Sequence, residues 1–186
     1  NNGGMAEYVR YPKTAVLHRV PEDMPLEKAL LIEPYSCSKH AVDRADIHIE
    51  DIVVISGAGT LGLGMITYAH QMNPAKLIVL DMMDERLEKA LEFGADIVIN
   101  PGKEDAIGVF AQSTTVDWTL IGDNKELNVL GSHLSPYCYP YVIENIANGI
   151  LKTNGVVGHC FKLEDWEKAF DYATGKYGDL KIAFTF

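Results

Sequence analysis

Apolar positions crowd into three short runs near the middle of the chain. They are Asp51-Ile52-Val53-Val54-Ile55, Lys76-Leu77-Ile78-Val79-Leu80-Asp81 and Asp96-Ile97-Val98-Ile99-Asn100. The first, without polar alternation, predicts a strand buried on both faces; the second predicts another buried strand and the third a further strand. Between them lie two stretches of helical period. Leu63 to Met72 follows a glycine-rich turn, Ser56 to Gly62. Asp84 to Phe93 is amphipathic and charged, and Gly94 closes it. The order β-α-β-α-β predicts a parallel sheet with right-handed crossovers.

The flanks are less regular. Ala6-Glu7-Tyr8-Val9 and Ala15-Val16-Leu17 read as short extended pieces, punctuated by Pro12 and Pro21. Pro25 opens a helical stretch through Leu31, Pro34 interrupts it, and a second helix runs from Ser36 to Ala45. After Asn100 the rhythm breaks. A doubly wound sheet continues with further βα units, but here Pro101 to Ala106 leads quickly to Gly108-Val109-Phe110 and Thr115-Val116-Asp117-Trp118. Glu126 to Gly131 reads as a strand, Pro140 to Gly149 and Leu163 to Thr174 as helices, and Leu180 to Phe186 as a closing strand.

Composition narrows the class. The 186 residues are 47% hydrophobic and 23% charged, the profile of a globular protein. A formal charge of -10 repels phosphate backbones, so no nucleic-acid partner is expected. No apolar run reaches the ~20 residues of a membrane span, and no signal peptide opens the chain, so no membrane partner is expected. Cys37, Cys138 and Cys160 are scattered and odd in number, which argues against disulfides or a structural zinc knot and for a reducing cytoplasm. The first residue is Asn1, so the sequence is expected to begin inside a longer protein.

The chemistry concentrates in Gly57-Ala58-Gly59-Thr60-Leu61-Gly62, which fits G-x-G-x-x-G between a predicted strand and a predicted helix. Gly57 permits the tight turn, Gly59 lets a pyrophosphate approach the backbone, and Gly62 lets helix and strand pack closely. Amides near Thr60 and Leu61 and the helix dipole would face the phosphates. Asp81 ends the next strand, where a carboxylate accepts from ribose hydroxyls and repels the extra phosphate of NADP, so NAD is favoured; an ordinary strand-end cap is the alternative. Arg86 can stack over the adenine or be a solvated helix residue. Glu33, before Pro34, is a site carboxylate or a solvated turn residue. His40 and His70 read as surface or satisfied core residues, His133 and His159 stay open, and Trp118 and Trp166 read as packing residues. No G-x-S-x-G elbow points to hydrolysis, and no Cys/His cluster completes a metal site.

Three strings together resemble a known family. They are Gly3-Gly4-Met5-Ala6-Glu7-Tyr8-Val9 with Leu31-Ile32-Glu33-Pro34, then Val53 to Gly62, then Lys125-Glu126-Leu127-Asn128-Val129-Leu130-Gly131-Ser132. They resemble the medium-chain zinc-dependent alcohol dehydrogenases, most closely the polyol branch (sorbitol, threonine and erythritol dehydrogenase types). The ending, from Cys160 to Asp165 and on to Lys181-Ile182, is similar to that family's return into its catalytic domain.

The resemblance implies an α/β fold: a Rossmann-type doubly wound parallel sheet, here partial, with remnants of a GroES-like catalytic domain. The implied division is 1–34 (end of the catalytic domain), 35–135 (NAD-binding, interrupted near 101–109) and 136–186 (return to the catalytic domain). It implies NAD and zinc as cofactors, with zinc polarising an alcohol oxygen while hydride passes to NAD. Carried over by position, Gly57, Gly59, Thr60, Leu61 and Gly62 meet the pyrophosphate and Asp81 the ribose. Glu33 stands at or beside the catalytic zinc, Lys181 can reach the pyrophosphate, and Gly131 and Ser132 meet the nicotinamide carboxamide. The family's zinc-binding cysteine and Gly-His-Glu motif would lie before Asn1, its four-cysteine zinc loop is absent, and at least one βα unit is missing between Asn100 and Val109. One carboxylate cannot hold a catalytic Zn²⁺, so this polypeptide alone is not expected to turn over alcohols.

The leading expectation is therefore an NAD-dependent oxidoreductase of zinc-type alcohol or polyol dehydrogenase descent, oxidising a secondary hydroxyl to a ketone, cytoplasmic, and a homodimer or homotetramer acting on a small polyol or alcohol. A non-catalytic dinucleotide-binding module is the alternative. A zinc-independent reductase is disfavoured by Asp81, and a methyltransferase by the flanking segments.

Overall fold

The β-branched runs do form strands. In the computed structural model, which describes residues 4–103, 130–135, 137–174, 177–178 and 180–186, β1 (Ile52–Ser56), β2 (Lys76–Leu80) and β3 (Ile97–Ile99) make a parallel sheet in the order β1-β2-β3. The register pairs Val53 with Leu77 and Ile55 with Val79, then Val79 with Val98. These residues form the inner face. Helix α3 (Thr60–Gln71) crosses from β1 to β2, and α4 (Asp84–Phe93) from β2 to β3. Both lie on this face, as right-handed crossovers in one direction along a sheet require.

Two helices precede the sheet, α1 (Leu26–Ala29) and α2 (Ile32–Ala45). Helix α2 packs on α3 and on α5 (Tyr139–Ala147). Leu31, Tyr35, Leu63, Ile66, Tyr68, Leu77, Val79, Val142 and Ile146 are all buried in one shared core. A second, smaller layer pairs β4 (Val157–Lys162) in parallel with β5 (Lys181–Thr185). A single 3₁₀ turn (Leu163–Asp165) and α6 (Trp166–Ala173) connect them.

Several expectations need correction. Strand β1 is not buried on both faces: Ile52 and Val54 are 68% and 56% exposed, because β2 is its only partner among the described residues and the helices cover one side. Pro34 does not break a helix. It sits in the first turn of α2, where the missing N–H has no intrahelical partner to lose. Residues 6–9 and 15–17 form no strand and pair with none among the described residues, and the chain bends at Ala6 and Glu7; strand propensity without a neighbour gives no ladder. Trp166 is half exposed, touching Phe170 edge-on, and is not a packing residue. The sequence reading also missed β4. The expected segments at 108–110, 115–118 and 126–129, including Trp118, lie outside the described residues.

Candidate functional site

The turn between β1 and α3 is held from three sides. Gly57 takes φ +99°, a conformation that side chains disfavour, and its N–H donates to Leu80 O at 2.7 Å. A Cβ on Gly62 would stand 1.8 Å from the Gly57 carbonyl oxygen, so helix and turn touch backbone to backbone there. Ser38 on α2 donates to Leu61 O at 2.8 Å and fixes the helix start from the outside.

Above this turn the structure leaves space. Gly59, the residue before α3, has an extended backbone, and a Cβ built there meets nothing within 4 Å. No side chain caps α3. Its first-turn amides therefore have neither an intrahelical acceptor nor a side-chain one, the arrangement that receives anions. The turn is therefore closely packed at Gly62 and open at Gly59. Thr60 is different, because its hydroxyl donates to Leu180 O at 3.1 Å. That contact seats the start of β5, and with it half-buried Lys181, beside the turn.

Asp81 stands where the sequence put it, just past β2, but its oxygens are engaged. Oδ2 accepts the Ala58 N–H at 2.8 Å and Oδ1 the Met83 N–H at 2.9 Å. The carboxylate thus ties the glycine turn to the start of α4, and its side chain is only 8% exposed. A carboxylate has about four lone-pair positions, so two acceptor directions remain beyond these bonds. Arg86 lies loosely beside it, Nη1 to Oδ2 at 3.9 Å, with its own Nε buried and without a partner. Beyond it, Asn100 donates to Met82 O and Asp84 and accepts from Gly102, bracing the loop after β2. Lys103 and Asn100 together hold the Asp84 carboxyl below its ordinary pKa.

Glu33 lies elsewhere, in the first turn of α2. It opens into a cavity of about 290 Å³ lined by Val16, His18, Glu33, Leu134, Ser135 and Tyr139. Its Oε1 accepts the Cys37 thiol at 3.4 Å, one helical turn on. Burial raises the Cys37 pKa, and the Glu33 carboxylate raises it further. Tyr139 stacks on His18 at 5.5 Å, and burial with Glu33 raises its pKa too. Gly131 and Ser132 are exposed and outside this lining. Among the described residues no three His, Cys, Asp or Glu side chains converge on a metal position, so a catalytic zinc, which wants three protein ligands, does not fit them. His40 and His70 lie on α2 and α3, as expected of ordinary helix residues.

Sequence reasoning missed Ala58, Cys37, His18, Ser135 and Tyr139. Ala58 had a signal, since the middle of a glycine turn presents its N–H to the next strand end. The others come together only through tertiary packing.

No family model matches the chain. It is 38% identical to an erythritol/L-threitol dehydrogenase of Mycolicibacterium smegmatis, over 97% of this chain and 61% of that protein. That alignment runs over 222 residues against the 186 here, so the relative carries residues inside the matched region that have no counterpart in this chain. Among solved structures it is similar to a zinc-dependent alcohol dehydrogenase of Streptococcus pneumonia (TM-score 0.83, 24% identity, covering 100% of this chain and 66% of that one). It is also similar to the RspB dehydrogenase of E. coli, solved with NADH (TM-score 0.76, 24% identity, 91% of this chain and 62% of that one). These likenesses fix the fold as that of Rossmann-containing dehydrogenases. The chain spans about 60% of the curated relative's length.

Proposed function

The chain is a relative of the zinc-type alcohol and polyol dehydrogenases, and from that premise we propose that it binds NAD(H) through the Gly57–Gly62 turn. In the proposal, the α3 amides receive the diphosphate, Asp81 the adenosine ribose, and Arg86 the adenine face. Lys181 and the exposed Gly131-Ser132 backbone serve the outer phosphate and the nicotinamide end. The single observation that carries the reading is the open, uncapped start of α3 above Gly59.

The activity proposed with it is oxidation of a secondary hydroxyl of a small polyol to a ketone by hydride transfer to NAD. Assembly as a dimer or tetramer, a cytoplasmic setting and the division at 34 and 135 belong to the same proposal. No described helix is long and apolar enough to cross a membrane. Zinc supplies no step here, because the described residues do not provide its ligands. A non-catalytic dinucleotide-binding module is the second reading, favoured by that same ligand deficit.

The test is titration of the 186-residue chain with NADH, followed by nicotinamide fluorescence. A saturable rise supports the proposal. A linear response identical to free NADH refutes both readings.

A further inference from the structure

Two features of the Glu33 cavity have no structural explanation of their own. Ser135 is 5% exposed, yet its hydroxyl has no hydrogen-bond partner. Leu134, the residue before it, takes φ +52°, a left-handed conformation uncommon for a leucine. Both residues line the same cavity as the Glu33 carboxylate, with the stacked His18 and Tyr139 rings as one wall.

A buried hydroxyl left unpaired is unfavourable by about 1–3 kcal/mol relative to a paired one. Local backbone strain is likewise retained where the surroundings enforce it. Together they describe a group held ready, without a protein partner, at the wall of a space big enough for a small molecule. Ser135 can donate and accept at once. Glu33, ionised, can only accept. A single hydroxyl can accept from the serine and donate to the carboxylate only by standing between them; a ligand with two hydroxyls answers each from its own atom, one pairing with the serine and one donating to the carboxylate.

We propose that Ser135 is the specificity-determining residue of this cavity, reading a second hydroxyl of a short, compact polyol whose first hydroxyl faces Glu33. The assignment rests on the dehydrogenase reading above but concerns a different part of the chain from the glycine turn. It explains why the peptide at Leu134 is bent: the turn drives the serine inward. It also predicts selection of diols over mono-alcohols, since two hydroxyls reach both groups without one atom having to stand between them.

The test uses saturation-transfer-difference NMR on the 186-residue chain with NADH present, erythritol as probe and 1-butanol as control, beside thermal melts. Erythritol should give a saturable signal and 1-butanol none. Ser135→Ala should weaken erythritol about 3- to 10-fold, the worth of one hydrogen bond, with NADH affinity unchanged. Its melting temperature should stay level or rise, because an unpaired buried hydroxyl is removed. A drop in melting temperature would show a structural partner for Ser135 and overturn the assignment. So would equal erythritol binding by wild type and variant, or no erythritol signal from a wild-type chain that saturates with NADH. Failure of NADH itself to bind would instead strike the proposed function.

Discussion

Two alanine substitutions three residues apart in the glycine turn should have opposite signatures. At Gly62, the new Cβ would sit 1.8 Å from the Gly57 carbonyl oxygen and 2.8 Å from its carbon. Neither atom belongs to a flexible side chain, so the start of α3 must move off β1. Overpacking of this kind destabilises by about 1–3 kcal/mol. At about 2–4 °C per kcal/mol for a chain of this size, Gly62→Ala should lower the melting temperature by about 2–12 °C.

Gly59→Ala meets no such obstacle. Its Cβ finds nothing within 4 Å, and φ −74° with ψ −170° suits alanine. The stability change should stay within about 1 kcal/mol, the range of helix-start substitutions. Yet the methyl would stand in the space offered to the diphosphate. Loss of one charge-assisted hydrogen bond is worth about 1.5–3 kcal/mol, or about 10- to 100-fold in the NADH dissociation constant. Circular-dichroism melts and NADH fluorescence read the two quantities separately. Wild-type NADH affinity in Gly59→Ala would refute the turn as the cofactor site, and an unchanged melting temperature in Gly62→Ala would refute the packing argument.

Asp81→Ala removes the acceptor of both the Ala58 and the Met83 N–H, so it should lower stability by about 1–3 kcal/mol and weaken NADH together; weaker NADH with an unchanged melt would refute the strut role. The tyrosines of the α2–α3–α5 core should also separate. Tyr35→Phe loses a 2.7 Å bond to Lys152 O and should be destabilised by about 0.5–1.5 kcal/mol, whereas Tyr68→Phe removes a buried hydroxyl with no partner and should be neutral or stabilising in a urea titration. Burial raises both phenols above their ordinary value of 10.0, so the stability they contribute is intact below that pH and is lost as pH climbs above it. Tyr68→Phe should therefore show a shallower alkaline decline than wild type, and an identical decline would contradict the assignment.

What the sequence made legible was whatever local order determines. The strand–turn–helix at 52–71, the helix at 84–93 with Gly94 behind it, and the position of Asp81 all follow from patterns a few residues wide. What it hid depends on neighbours far along the chain. The partners of Asp81 were hidden because Ala58 approaches it only when β1 and β2 align. Pro34 looked like a breaker because the helix start at Ile32 carries no capping residue. Strand β4 was obscured by Gly158 and His159, which dilute its apolar pattern, and it exists because β5 pairs with it. Ser135 has no sequence signature at all; only its burial without a partner marks it.

The exposed side of β1 ties these threads together. Val53 and Ile55 face α3, while Ile52 and Val54 on the other side are open and Ile97 on β3 continues that surface. Parallel strands are normally covered on both faces, so a strand apolar on both sides calls for a covering layer on that face which the described residues do not supply. The relative with residues that have no counterpart here is consistent with such a layer. Yet the turn proposed to meet the diphosphate is fixed from within one βαβ unit and its neighbours: Gly62 against Gly57, Asp81 across the end of β2, Ser38 against Leu61. None of these contacts needs anything beyond the open side of β1. The proposed dinucleotide affinity would thus reside in this unit, whereas the proposed turnover needs metal ligands that its described residues do not bring together, and the two should separate in any experiment on this chain.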